Sequence, residues 1–106
     1  MPSDLAPPEA CGSMTELRAA IDVLDTRLVA MLALRQTYIE RAAVLKAERR
    51  SVRDTARVEQ VVSNVVAAAA QAGLSPAIAE AVWRALIEAS IAHEYEAFDA
   101  KTSAAP

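Results

Sequence analysis

Apolar residues in the first half of the chain recur at alternating steps of four and three, the spacing of a heptad seam on one long helix. The seam positions are Leu17, Ile21, Leu24, Leu28, Met31, Tyr38, Ala42 and Leu45. Ser13 and Glu16 form the S-x-x-E pattern of a capping box, and neither proline nor glycine follows before Gly73. The pattern predicts a first helix from about Met14 to about Arg49.

This predicted helix is too long for a compact monomer. A helix of about 35 residues spans about 50 Å at 1.5 Å per residue, whereas a folded chain of about 100 residues has a radius of gyration of about 13 Å. The far half of the seam therefore needs another chain to cover it. The sequence predicts an intertwined helical oligomer.

Two shorter helices follow. Asp54 is a candidate N-cap for a helix over about 55–72, and Gly73 fits the C′ position that ends it. Ser75-Pro76 then places an N-cap before a proline at the first helical position, which starts a third helix to about Ala100. We predict an all-α chain of three helices, with a flexible arm over 1–12, a helical domain over 13–100 and a frayed tail over 101–106.

Composition and charge narrow the functional classes. Aromatic residues are 4% of the 106 residues and there are two glycines, which disfavours a β-sandwich or barrel. The net charge of −3 argues against nucleic acid or anionic membranes as partners. A single cysteine, Cys11, excludes a disulfide framework, and we expect it to be inert. Short apolar runs and an N-terminus without a basic region lead us to expect a cytoplasmic protein.

Arg35 breaks the seam at a position where an apolar residue is expected. An arginine there is costly unless it is paired, so it is either an ion-pair or register device or an anion-binding group. Lys46, eleven residues later, returns to within about 20° of Arg35 and lies about 16 Å further along the axis. The two cations could grip one small anion with negative groups at both ends. The simpler interpretation of Lys46 is a helix-end residue whose ammonium reaches solvent.

Arg18 lies seventeen residues before Arg35, about 25 Å along the same helix. It cannot reach a small ligand held by Arg35 and Lys46 of its own chain, but in an antiparallel dimer it could reach the partner's ligand. The alternative is an exposed charge beside Glu16 and Asp22.

Further candidates lie on the second and third helices. Arg57 follows Asp54 by three residues, where a local ion pair is the simpler interpretation. Ser90 and Glu94 lie on a stripe of roughly helical spacing on the third helix, which consists of Trp83, Ile87, Ser90, Glu94 and Phe98. A carboxylate in such apolar company is most simply the partner of an arginine. His93, the single histidine, is expected to be exposed to solvent.

Together these cations and hydrogen-bonding groups suit a small dicarboxylate and include no nucleophile, metal or cofactor motif. The chemistry left to such a site is a unimolecular rearrangement or elimination, accelerated by binding a reactive shape and stabilising developing charge. If the interior cations are unpaired, replacing Arg35 or Lys46 by alanine should leave the fold intact.

The combined pattern resembles the all-helical (type II) chorismate mutases, including their isochorismate-pyruvate lyase branch, over residues 14–99. The resemblance is carried by Glu16-Leu17-Arg18, Ile21-Asp22, Asp25, Leu34-Arg35, Lys46, Val52-Arg53-Asp54, Arg57, Ser90 and Glu94. It implies a domain-entwined homodimer with two identical sites, needing no cofactor, that rearranges chorismate to prephenate. Arg18 would come from the opposite subunit, and Arg35 and Arg57 would hold the substrate carboxylates.

The same resemblance implies roles for the remaining site residues. Lys46 would hydrogen-bond the ether oxygen and one carboxylate, and Glu94 would face the ether oxygen from the other side. Asp54 would contact the ring hydroxyl, and Ser90 would assist a carboxylate.

Some positions fit the mutase pattern and others depart from it, so an isochorismate-pyruvate lyase remains an alternative. Val58 stands where many mutases carry Glu or Gln, and the arm Pro8-Glu9-Ala10-Cys11 is similar to the lyase branch; Ser90 and Glu94 are mutase-like. The connection from Lys46 to Arg53 is one residue shorter than in some mutases. We therefore favour a chorismate mutase over an isochorismate-pyruvate lyase that forms salicylate. A helical dimerisation module without catalysis and a degenerate domain that senses a metabolite remain alternatives of other classes.

Overall fold

The computed structural model describes residues 2–104, and within that range the chain forms helices and no strand. Helix α1 spans Met14–Leu45, α2 spans Thr55–Ala72 and α3 spans Pro76–Ala104. Short 3-10 helices form at Pro8–Ala10 and Arg49–Ser51. The prediction of an all-α chain with three helices and a long first helix is confirmed. None of the described helices is long and apolar enough to cross a membrane.

The predicted start and stop signals act as expected. The Ser13 hydroxyl accepts the main-chain N–H of Glu16 at 3.2 Å, and the Glu16 carboxylate accepts the N–H of Gly12 at 2.8 Å. Asp54 caps α2, and Gly73 ends it at a φ of 80°, a left-handed conformation that glycine adopts without strain. These local hydrogen bonds set three of the helix ends.

Two helix ends differ from the prediction. Helix α1 ends at Leu45, four residues early, because the chain must turn for Val52 to become buried, at 3% exposure. Helix α3 continues to Ala104, four residues beyond the predicted end, and Lys101, which we assigned to a frayed tail, is hydrogen-bonded to the end of α1. The part of the predicted tail at 105–106, like residue 1 of the arm, lies outside the described residues.

The chain divides into two compact units, one up to Arg35 and one from Gln36. In the first unit, Asp4 of the arm pairs with Arg27 of α1. Seam residues of α1 in this unit are largely exposed, with Leu28 at 60% and Met31 at 65%. The flexibility of the arm and the covering of the seam by a second chain stay predictions.

The second unit holds the hydrophobic core. Val62 and Ala69 of α2 are buried, and so are Ile87 and Phe98 of the stripe predicted on α3. Ile91 of α3, which was not part of the predicted stripe, is buried beside them. Ala43, near the end of α1, joins the core cluster at 1% exposure. The last turns of α1 are therefore held beside the middle of α3, where the polar member of the α3 stripe, Glu94, also lies.

Candidate active site

Lys46 and Glu94 form the closest contact between predicted site residues. Lys46 is the first residue after α1, and its main-chain N–H still donates to the carbonyl of Ala42 at 3.0 Å. Its ammonium lies 2.6 Å from Glu94 Oε2 and donates more weakly to the carbonyl of Val52 at 3.4 Å. The end of α1, the following turn and α3 thus meet at one ammonium group.

Burial of Glu94 strengthens the ion pair between Lys46 and Glu94 in the second unit. Glu94 is a buried charged residue, at 5% exposure, whereas the Lys46 side chain is 29% exposed. A charge-assisted hydrogen bond removed from water is stronger than one on the surface. The carboxylate is therefore buried, while the lysine side chain that pairs with it stays partly exposed to solvent.

This pair corrects two expectations. The partner of Glu94 is a lysine, not an arginine. Lys46 is not an unpaired interior cation, so replacing it with alanine would leave a buried carboxylate uncompensated and destabilise the fold. The sequence pattern placed both residues on inward-facing positions but could not show that they meet.

Asp54 contacts the main chain of Arg57, not its guanidinium. Asp54 Oδ1 accepts the main-chain N–H of Arg57 at 3.0 Å, and the Arg57 guanidinium donates to Gln60 Oε1 at 2.7 Å. The expected Asp–Arg side-chain pair is replaced by an N-cap. Arg57 is exposed, so its guanidinium is accessible to an anion.

Arg53, next to Asp54, holds the start of α2 against α3. Its guanidinium makes a two-point contact with Glu88, at 3.0 and 2.7 Å. The hydrogen bonds to Arg53 lower the pKa of Glu88. Such exposed ion pairs contribute little stability individually. The two parallel hydrogen bonds from the planar Arg53 guanidinium nevertheless orient the start of α2 relative to α3.

The other predicted residues lie on α1 and α3. Arg18 is exposed and Arg35 is half-buried, both on the stretch of α1 in the first unit. Partial burial lowers the pKa of Arg35, because desolvation disfavours its charge. Ser90 is half-buried on α3, one turn before Glu94.

His93 is not the free surface histidine that we expected. It is half-buried, and its Nε2 lies 2.6 Å from Glu40 Oε2. The hydrogen bond to His93 lowers the pKa of Glu40. Because 53 residues separate the two along the chain, no local pattern could have predicted the contact.

Comparison with known families decides what kind of domain carries this geometry. The sequence model described as "Chorismate mutase type II" matches residues 17–95, most of the chain. The protein belongs to the type II chorismate mutase family. The matched range begins one residue before Arg18 and ends one residue after Glu94, so all of the candidate site residues of this chorismate mutase domain lie within it. A comparison with curated proteins gives no significant match.

Proposed function

We propose that this protein is a chorismate mutase, rearranging chorismate to prephenate at a site built around Lys46. The observation that carries the proposal is the 2.6 Å contact between Lys46 Nζ and the buried Glu94 carboxylate. It places a cation beside a hydrogen-bonding group in an apolar setting, within a chain of the type II family. Chorismate, the substrate after which the family is named, carries two carboxylates that suit the cations of this chain.

The proposed reaction is pericyclic. One carbon–oxygen bond breaks while a carbon–carbon bond forms in the same molecule, so no nucleophile, metal or external proton acceptor is required. Negative charge develops on the ether oxygen in the transition state, and groups that donate hydrogen bonds to that oxygen lower the barrier. Lys46 donates from its ammonium, and Glu94 donates in its protonated form.

The remaining residues bind and orient the substrate in this proposal. Arg35 and Arg57 hold the carboxylates, with Ser90 assisting, and Asp54 contacts the ring hydroxyl. Arg57 is exposed and donates to a neutral Gln60. Exchanging that amide for a substrate carboxylate gives a charge-assisted contact, which favours binding.

A homodimer completes the proposed site. The seam residues of α1 are unusually exposed for large apolar side chains, with Ile21 at 46%, Leu28 at 60% and Tyr38 at 70%. Exposed apolar area of this extent on one helix is the kind that a second copy covers. In such a dimer, Arg18 of one subunit completes the partner's site.

A lyase acting on isochorismate is the second candidate, and Val58 favours it. Val58 packs against the core cluster of the second unit and so presents no polar group at this position of α2. A mutase with Glu or Gln there has an additional hydrogen bond to the ring hydroxyl. Both reactions break the same carbon–oxygen bond, so one site could perform either.

The experiment is to incubate the purified protein separately with chorismate and with isochorismate and to identify the products. Prephenate from chorismate supports the mutase. Salicylate with an equal amount of pyruvate from isochorismate, and no prephenate, supports the lyase. A protein that binds chorismate without converting it would be a metabolite sensor, and one that binds neither compound would be a helical dimerisation module, as its Lys46–Glu94 ion pair also permits.

A further inference from the structure

Lys101 of α3 forms a cap over the C-terminal end of α1. Its ammonium donates to the carbonyls of Ala43 at 2.7 Å, Val44 at 3.2 Å and Lys46 at 2.7 Å. It also lies 4.4 Å from the centre of the Phe98 ring, a cation–π distance.

The N–H donors of Lys101 match the unpaired carbonyls at the end of α1 in number and in charge. The last carbonyls of a helix have no intrahelical partner, and they carry the negative end of the helix dipole. A lysine ammonium has three N–H donors and no acceptor, so three carbonyls satisfy it completely. Ala43 is 1% exposed, and a buried carbonyl without a donor would be costly. Lys101 therefore fixes the main chain at the point where α1 ends.

Helix α3 contacts both the side chain and the main chain of Lys46. Glu94 accepts from the Lys46 side chain at 2.6 Å, while Lys101 donates to the Lys46 carbonyl at 2.7 Å. Glu94 and Lys101 are seven residues apart, about two turns of α3. Lys46 lies just beyond the last residue of α1, where the chain turns. Its direction therefore depends on these two contacts, together with the weaker one to the carbonyl of Val52 at 3.4 Å.

We propose that Lys101 is a positioning residue for Lys46: its cap on α1 directs the Lys46 ammonium toward the bound substrate. The effect on catalysis rests on the proposed function, but the effect on the turn does not. Without the cap, the turn after α1 loosens and the ammonium spends less time in the reactive position. A displacement of the order of 1 Å in a group that contacts the reacting atoms costs up to about a hundredfold in rate.

The experiment compares Lys101→Met, Lys101→Arg and Arg84→Met, each alone and combined with Lys46→Gln. Methionine keeps the length of the side chain and its contact with Phe98 but removes the donors, and arginine retains charged donors. Arg84 is the matched control, since it is a cation of the same helix that pairs with the exposed carboxylates of Glu59 and Glu80. The measurements are kcat and KM for chorismate, and amide hydrogen exchange over residues 46–52.

We expect Lys101→Met to lower kcat about tenfold with a smaller change in KM, because a positioning defect acts mainly in the transition state. Lys101→Arg should recover most of that loss, and Arg84→Met should match the unsubstituted protein. In the Lys46→Gln background, adding Lys101→Met should lower kcat by less than a further twofold, because the residue that Lys101 positions is already altered. A tenfold loss that persists in that background, or equal losses in the Met and Arg variants, would overturn the proposal.

Hydrogen exchange tests the positioning without any turnover. Amides of residues 46–52 should exchange several-fold faster in Lys101→Met than in Lys101→Arg or Arg84→Met. Unchanged exchange would overturn the proposal even if the protein is active. Faster exchange in a protein that converts neither chorismate nor isochorismate would instead support the cap and contradict the proposed function.

Discussion

The Lys46 ammonium lies 2.6 Å from Glu94 Oε2 and joins the end of α1 to the middle of α3. Because Glu94 is 5% exposed, this contact stabilises the second unit as well as bringing two candidate catalytic groups together. Removing the lysine would leave the carboxylate without its partner, at a cost of roughly 1–3 kcal/mol given the partial exposure of Lys46. A variant that keeps a hydrogen-bond donor, Lys46→Gln, is therefore the better probe of catalysis.

Glu94→Gln should change the pH dependence of the reaction. An ionised carboxylate only accepts hydrogen bonds, so the ether oxygen needs the protonated acid. Activity of the unsubstituted protein should fall as the pH rises.

Glutamine is a neutral donor of nearly the same size at every pH. We expect kcat/KM of Glu94→Gln to stay level where the unsubstituted protein declines, with chorismate as substrate between about pH 5 and 9. Superimposable pH profiles would mean that Glu94 does not donate to the ether oxygen and that its ion pair with Lys46 is purely structural.

Leu28→Lys should disrupt the proposed dimer. Leu28 lies on the apolar seam of α1 and is 60% exposed in the single chain, so a charge there would be buried on association. Ala33→Lys is the control, because Ala33 is exposed on the opposite face of the heptad. Sedimentation at micromolar concentration should show a folded dimer for Ala33→Lys and dissociated or unfolded chains for Leu28→Lys. A stable folded monomer of the unsubstituted protein would contradict the intertwined architecture.

Arg18 and Lys46 variants should complement each other if Arg18 acts across the dimer. Arg18→Ala and Lys46→Gln would each damage both sites of their own homodimer. A heterodimer of the two has one site with both residues intact and one with neither. Random assembly after joint refolding makes about half of the dimers heterodimers, so activity should recover to about a quarter of the unsubstituted level.

The contrary result is equally clear. If Arg18 serves the site of its own chain, every site in the heterodimer lacks one residue. Mixing and refolding would then give no activity above that of the separate variants, and the shared site would be wrong.

The helix starts were predictable because their signals are local. Ser13 with Glu16, and Asp54 with the N–H of Arg57, are hydrogen bonds within three or four residues, and such caps are visible in sequence. Gly73 likewise marks its own left-handed turn. The inward positions of Ile87, Glu94 and Phe98 followed from helical periodicity.

The contacts that were missed join residues far apart in the chain. Lys101 reaches carbonyls 55 to 58 residues away, and His93 reaches Glu40 over 53 residues. Which partner a polar side chain meets depends on how the helices pack, and periodicity gives only the face on which it lies. The same limit hid the lysine partner of Glu94 and the early end of α1.

The most direct test of the account is the rate of prephenate formation from chorismate by Lys46→Gln, with Arg50→Gln as control. Arg50 is a cation of the turn that follows Lys46, its side chain is 85% exposed, and it pairs with neighbouring Glu48. Loss of a group that stabilises charge in the transition state costs roughly a hundredfold to a thousandfold. We predict that loss in kcat/KM for Lys46→Gln, in a protein that remains folded by circular dichroism, and an unchanged value for Arg50→Gln. Equal rates of prephenate formation in the two variants would contradict a site built around Lys46.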